Sequence, residues 1–164
     1  MTPPMAIGTP DLCDEHPGKV RVLDPVFRCY GAQKQFYGEV VTLRCFEDNS
    51  LVKSFAAQPG DGKVLVVDGG GSLRCALLGD QIAAALVKNG WVGIVINGCV
   101  RDVEALNALT LGIRALNSVP IKTEKRGLGD ANVPVRFAGV DMRPGQWLYA
   151  DETGIVISEQ ALHT

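Results

Sequence analysis

The chain has 164 residues, of which 46% are hydrophobic, and its 16 basic and 18 acidic side chains leave a net charge of −2. That length predicts one domain, 1–164, with a core large enough to need no disulfide or structural metal, and the near-neutral charge excludes a nucleic-acid footprint or a basic membrane patch. The five cysteines, at 13, 29, 45, 75 and 99, are too far apart for a CxxC ligand pair and read as free thiols of a reducing, cytoplasmic compartment.

In chain order, the first residues carry no basic stretch followed by an apolar run, so no signal peptide is expected. Residues 10–16 suit a short helix closed by Pro17-Gly18. Residues 37–45 alternate and are rich in β-branched types, as a strand requires. Asn49 and Ser50 are candidate N-caps of a helix running to about Gln58, before a Pro59–Gly62 turn. Lys63–Asp68 is a continuous apolar run ending in a charge, the pattern of a strand buried on both faces of a parallel sheet. A helix from Gly79-Asp80 carries Ile82, Leu86 and Val87 on one face and ends at Gly90, a second buried strand covers 91–97, and a short helix begins near Arg101-Asp102. No run is long enough to cross a bilayer. The last third breaks into short β segments at 112–116, 133–137, 146–149 and 154–157. The fold class is therefore α/β, a central βαβ unit joined to a β-rich C-terminal third.

Only two histidines exist, His16 and His163, each near a terminus, so chemistry must rest on carboxylates, arginine, cysteine or backbone amides. Asp68-Gly69-Gly70-Gly71-Ser72 superficially suggests a nucleotide or S-adenosylmethionine loop, but its glycines are contiguous and no GK[ST] follows. A tight turn, or a turn that shapes a ligand pocket, fits it as well. The stronger constellation is Asp80 and Arg101-Asp102, with twenty residues between Asp80 and Arg101. A helix rising about 15 Å and a strand returning about 20 Å bring these residues to one sheet edge, where open α/β sheets bind ligands. The N–H groups of Gly79, Asp80, Gln81 and Ile82 would be unpaired at the helix start and could cradle a carboxylate. Arg101 offers a planar fork for a carboxylate or enolate oxygen. Asp102 can hold a hard divalent metal, and Asp80 can hold a water or move a proton. No lysine suggests itself for a Schiff base. The plainer alternative is a first-turn acid favoured by the helix dipole, beside a structural ion pair.

The stretch VLVVDGGGSLRCALLGDQIAAALVKNGWVGIVINGCVRDVEAL, with RCFEDNSLVKS before it and GDANVPVRFAGVDMRPGQWLYADETGIVIS after it, resembles the RraA-like family. That family contains metal-dependent 4-hydroxy-4-methyl-2-oxoglutarate aldolases and the ribonuclease E regulators called RraA. The resemblance implies a compact α/β/β layered, swivelling-domain-like fold and a homotrimer. It implies that Gly79, Asp80, Gln81, Ile82 and Arg101 bind a small 2-oxo acid, that Asp80 and Arg101 are catalytic, and that Asp102 anchors Mg²⁺ or Mn²⁺. Regulators of the family typically lack the acid after the arginine and often the acid of the Gly-Asp pair; both are present here, which points to pyruvate-forming aldol cleavage with oxaloacetate decarboxylation as a side activity. Longer aldolases carry a C-terminal extension that supplies an acid to a neighbouring site, whereas this sequence ends at Thr164. The alternatives are a non-catalytic inhibitor of ribonuclease E and, on the glycine loop alone, a methyltransferase.

Overall fold

The computed structural model describes residues 5–163. In chain order its elements are α1 (Thr9–Glu15), β1 (Val20–Val22), β2 (Arg28–Tyr30), β3 (Phe36–Arg44), α2 (Ser50–Ala56), β4 (Val64–Asp68), β5 (Ala76–Leu78), α3 (Asp80–Lys88), β6 (Gly93–Val100), α4 (Val103–Asn107), β7 (Gly112–Ser118), β8 (Asp130–Ala131), β9 (Val135–Phe137), β10 (Val140–Met142), β11 (Trp147–Ala150) and β12 (Ile155–Ser158). The main sheet runs β1-β12-β11-β3-β4-β6-β7-β2, with β5 added to β6 and β8 to β3, and β9 and β10 form a separate antiparallel pair. The pairs β3/β4, β4/β6 and β6/β7 are parallel, whereas β11/β3 and β2/β7 are antiparallel.

Three layers follow from which side of β4 each residue faces. Leu65 and Val67 pack with Val52, Ala83, Leu86 and Leu106 of the helices. Val64 and Val66 pack on the other face with Val95, Phe137, Met142 and Leu148. Burial on both faces is why this strand has no polar alternation; each such side chain contributes about 1.5–3 kcal/mol relative to exposure. The α/β/β arrangement expected from the resemblance is thus the observed one, with β4-α3-β6 as its central βαβ unit.

Several boundaries differ from the sequence reading. The helix α2 stops at Ala56, and Asn49 makes no side-chain cap at its start; Asp48 accepts the Ser50 N–H instead, at 2.9 Å. The strand β6 continues to Val100, three residues beyond the expected end. The short strands β1, β2, β5, β8 and β10 were not anticipated; the longest of them has three residues, too few for any periodicity to register. Gly90 does follow α3 in the left-handed conformation expected of a helix stop, with φ +83°. No helix among the described residues is long and apolar enough to cross a membrane.

Candidate functional site

The strand β5 brings the anticipated residues together. Its Leu78 pairs with Val100 of β6, and the Arg101 N–H donates to the Leu78 carbonyl at 2.9 Å. The two chains therefore leave the sheet side by side, placing Gly79 next to Arg101 and Asp80 next to Asp102. The backbone of Asp102 then turns through the left-handed region (φ 59°, ψ 45°) to enter α4. That turn aims its carboxylate back at the start of α3, where Oδ2 accepts the Asp80 N–H at 3.0 Å. Gly79 permits this approach: a Cβ there would lie 2.8 Å from Asp102 Oδ2 and 3.5 Å from Arg101 Nε.

Gly79, Asp80, Gln81, Ile82, Arg101 and Asp102, the six residues singled out from sequence, all line one cavity of about 300 Å³. One of the four expected free amides needs correction: the Asp80 N–H is already held by Asp102, while the Ala83 N–H closes the first turn on the Gly79 carbonyl at 3.1 Å. Gly79, Gln81 and Ile82 keep their amides for a bound anion, at the positive end of the α3 dipole.

The remaining wall was not anticipated. Lys53 comes from α2 and Asn49 and Ala57 from the two ends that flank it, and Lys122 and Lys125 come from the extended segment that follows β7. All three lysines are exposed, so none is the buried amine that a Schiff base would need. That segment is tied down from beneath. The Ala76 N–H donates to the Ile121 carbonyl at 2.7 Å, and the buried Thr123 hydroxyl donates to Asn49 Oδ1 at 2.8 Å. Asp48, 2% exposed, accepts the N–H groups of Arg126 at 2.8 Å and Leu128 at 3.1 Å. Burial alone would raise the Asp48 carboxyl, but its hydrogen bonds from Ser50, Leu128 and Arg126 outweigh that and hold it down at about 2.

The glycine loop is a packed turn. Gly69 and Gly71 N–H groups both donate to the Asn97 carbonyl. Asp68 Oδ1 accepts from the Gly70 N–H at 2.9 Å and the Asn97 side chain at 3.0 Å. None of these residues lines the cavity described above. Neither histidine does so either; His163 instead hydrogen-bonds Tyr149 at 2.8 Å.

The donor set suits a hard, largely hydrated divalent cation. The described residues contain no group of three or more His, Cys, Asp or Glu side chains that could hold a metal, so an ion here would have few protein ligands. Among the described residues the Asp102 carboxylate makes one hydrogen bond, at Oδ2, and the residue is exposed. A single carboxylate with waters and substrate oxygens completing the shell is the arrangement Mg²⁺ favours.

The family model for RraA-like proteins, described as Aldolase/RraA, matches residues 9–157. The chain belongs to the RraA-like family. This RraA-like chain is 62% identical over 154 residues, 94% of each sequence, to a Pseudomonas fluorescens (strain Pf0-1) protein provisionally named 4-hydroxy-4-methyl-2-oxoglutarate aldolase. Its fold is similar to that of the RNA-processing inhibitor RraA from Thermus thermophilis, with a TM-score of 0.92 and 44% identity, covering 95% of this chain and 94% of that one. It is also similar to a Geobacillus kaustophilus HTA426 structure named S-adenosylmethionine: 2-dimethylmenaquinone methyltransferase, with a TM-score of 0.91 and 39% identity, covering 95% of this chain and 97% of that one.

Proposed function

We propose that this RraA-like protein is a divalent-metal-dependent aldolase that cleaves 4-hydroxy-4-methyl-2-oxoglutarate, or a related 4-hydroxy-2-oxo acid, to pyruvate. The observation that carries this reading is the convergence of Asp80, Arg101, Asp102 and the free amides of Gln81 and Ile82 on one cavity. The names of its relatives agree with it. Asp102 is the residue that would hold the cation, Mg²⁺ or Mn²⁺. When bound, the cation supplies Lewis acidity at the carboxylate and keto oxygens of the 2-oxo acid.

The chain's own groups divide the remaining work. The Gln81 and Ile82 amides bind the proximal carboxylate. Asp80, directly or through a water, accepts the proton of the C4 hydroxyl. The C3–C4 bond then breaks, C4 becomes a carbonyl, and the electron pair passes to the pyruvyl fragment as its enolate. Arg101 has no ion-pair partner among the described residues. Its fork therefore remains available for the developing enolate oxygen, and fixed charge aimed at developing charge is usually the largest catalytic contribution. Protonation at C3 releases pyruvate. Oxaloacetate reaches the same enolate by losing CO₂, so decarboxylation is the expected side activity.

The protein acts in this reading as one cytoplasmic domain in a homotrimer with sites between subunits. The exposed apolar side chains of Phe46, Leu73, Ile121 and Leu128 support subunit contact, because such surface is commonly covered by a partner. Light scattering that gave a stable monomer at micromolar concentration would count against the trimer. Pyruvate release from 4-hydroxy-4-methyl-2-oxoglutarate should occur, vanish with EDTA and return with Mg²⁺ or Mn²⁺. Full activity after exhaustive chelation would remove the metal, and no pyruvate at all would remove the aldolase.

A second reading, inhibition of ribonuclease E by protein contact, is favoured by the name of the Thermus relative. It needs none of the cavity chemistry, so a complex formed equally well by Arg101→Ala and Asp102→Ala variants would separate the two activities. The methyltransferase reading draws no support from the glycine loop, whose Asp68 carboxylate is engaged by Gly70 of its own turn and by Asn97 of β6.

A further inference from the structure

The protein's charge is nearly balanced, yet the cavity is not. Four cationic side chains line it, Lys53, Arg101, Lys122 and Lys125, against two carboxylates, Asp80 and Asp102. Six ion pairs occur among the described residues, and none involves any of these four cations. None of the three lysines makes a side-chain hydrogen bond among the described residues either, whereas Lys34, outside the cavity, does, at 3.0 Å. Cations gathered without protein partners around a concave surface are placed for an anion that the chain does not itself supply.

Their placement is asymmetric. The β6 line ends at Arg101, the β5 line at Gly79, and β5 is bridged on its other side to the segment carrying Lys122. Two strand spacings, about 10 Å, thus separate the Arg101 line from the Lys122 line. Lys53 projects from the face of α2 that also presents Asn49 and Ala57 to the cavity. The segment with Lys122 and Lys125 is fixed by the buried groups of Asp48, Asn49 and Thr123, so the lysine wall is built into the fold.

We infer that Lys53, Lys122 and Lys125 form a second anion subsite, which takes the carboxylate at the far end of a dicarboxylic 2-oxo acid while Arg101 and the α3 amides hold the reacting end. The inference rests on the 2-oxo acid reading of the cavity. It adds that the protein selects five-carbon dicarboxylates over monocarboxylates of the same length, and that this selection resides in side chains that take no part in bond cleavage.

Two non-cleavable probes test it. 2-Oxoglutarate and 2-oxopentanoate share a carbon skeleton and differ in the distal carboxylate. Calorimetric titration of the Mg²⁺-loaded full chain should give a preference of about tenfold or more for 2-oxoglutarate, since exposed charge pairs act together here. The Lys122→Gln/Lys125→Gln double variant and Lys53→Gln should each bring the preference toward parity, and Lys→Arg at the same positions should restore it. Equal affinity of the wild-type protein for both probes would overturn the subsite while leaving the 2-oxo acid reading intact. A preference preserved in the glutamine variants would also overturn it. Failure to bind either probe would overturn the 2-oxo acid reading itself, and the subsite with it.

Discussion

Gly79→Ala separates the chemistry of the site from the stability of the fold. Gly79 has φ −129° and ψ −171°, an extended conformation open to any residue, and it makes no side-chain cap for α3. Alanine is a poorer N-cap than glycine by about 0.5–1 kcal/mol, but it also restricts the unfolded chain by about 0.4–1 kcal/mol, so the two effects nearly cancel. The melting temperature should move by no more than about 4 °C in a chain of this size. The new methyl group would stand 2.8 Å from Asp102 Oδ2, where 3.4 Å is ordinary contact. The carboxylate must therefore retreat by about 0.6 Å, away from the Asp80 N–H that it now holds at 3.0 Å. Sub-ångström displacement of a metal-holding group should weaken cation affinity about tenfold and lower kcat/KM by about 10- to 100-fold. The assay is retro-aldol turnover coupled to pyruvate reduction by NADH, titrated with Mn²⁺, beside a thermal melt followed by circular dichroism. A variant with wild-type Mn²⁺ dependence and turnover would remove Asp102 from the site. A variant that loses 10 °C or more of stability would show that the carboxylate is locked into the core and refute the cost assigned to the glycine.

Asp102→Asn should weaken Mg²⁺ or Mn²⁺ binding by about 10- to 100-fold or more in calorimetry while the protein stays folded; unchanged affinity would place the metal elsewhere. Asp80→Asn should reduce kcat for aldol cleavage more than for oxaloacetate decarboxylation, which needs no proton taken from a C4 hydroxyl, and equal losses would withdraw its role as base. Asp48→Asn presents an amide NH₂ where backbone N–H groups now donate, and should cost about 2–4 kcal/mol in a denaturant melt. Because the folded Asp48 carboxyl is held down at about 2, its contribution is complete above about pH 4 and is lost as pH falls toward 2; the variant should lack that part of the acid dependence, and identical acid profiles would contradict it. Burial, then Asp48 and Asp68, push the Cys45 thiol up to about 12, so native alkylation at pH 8 should mark the exposed Cys29 and spare Cys45, as peptide mapping would show.

Legibility in the sequence followed burial and local adjacency. The runs of β4 and β6 could be read because both faces are covered, and such strands keep no polar alternation. Asp80, Arg101 and Asp102 could be picked out because a helix start and a strand exit carry distinctive residue types. The route by which they meet was different from the one expected: a returning helix and strand explain a shared edge, but the pairing of Leu78 with Val100 sets the contact. Ala76–Leu78 is too short to announce a strand, and its partner register is a long-range property. Lys53, Lys122 and Lys125 gave no signal, since a lysine on an exposed helix face or an irregular segment looks like any solvated charge. The cap contact expected of Asn49 is made instead by Asp48, for a similar reason. Either side chain can cap a helix, and only the approach of the segment after β7 gave Asn49 another partner in Thr123.

Asp102 is one of five non-glycine residues with positive φ among the described residues, and its carboxylate caps nothing in α4. A left-handed residue with a side chain carries a conformational penalty of about 1 kcal/mol that glycine escapes. Asp102→Gly would recover that penalty and forfeit the contact with the Asp80 amide, worth about as much. The substitution requires a single base change and leaves thermal stability close to neutral. The fold therefore stands one step from a form that is folded, keeps its cationic cavity and lacks the carboxylate proposed to hold the metal. Selection for stability alone would not resist that step. If the proposed catalysis holds, it must be maintained by selection on turnover, and a lineage released from that demand could pass to a purely binding role without first repairing its fold.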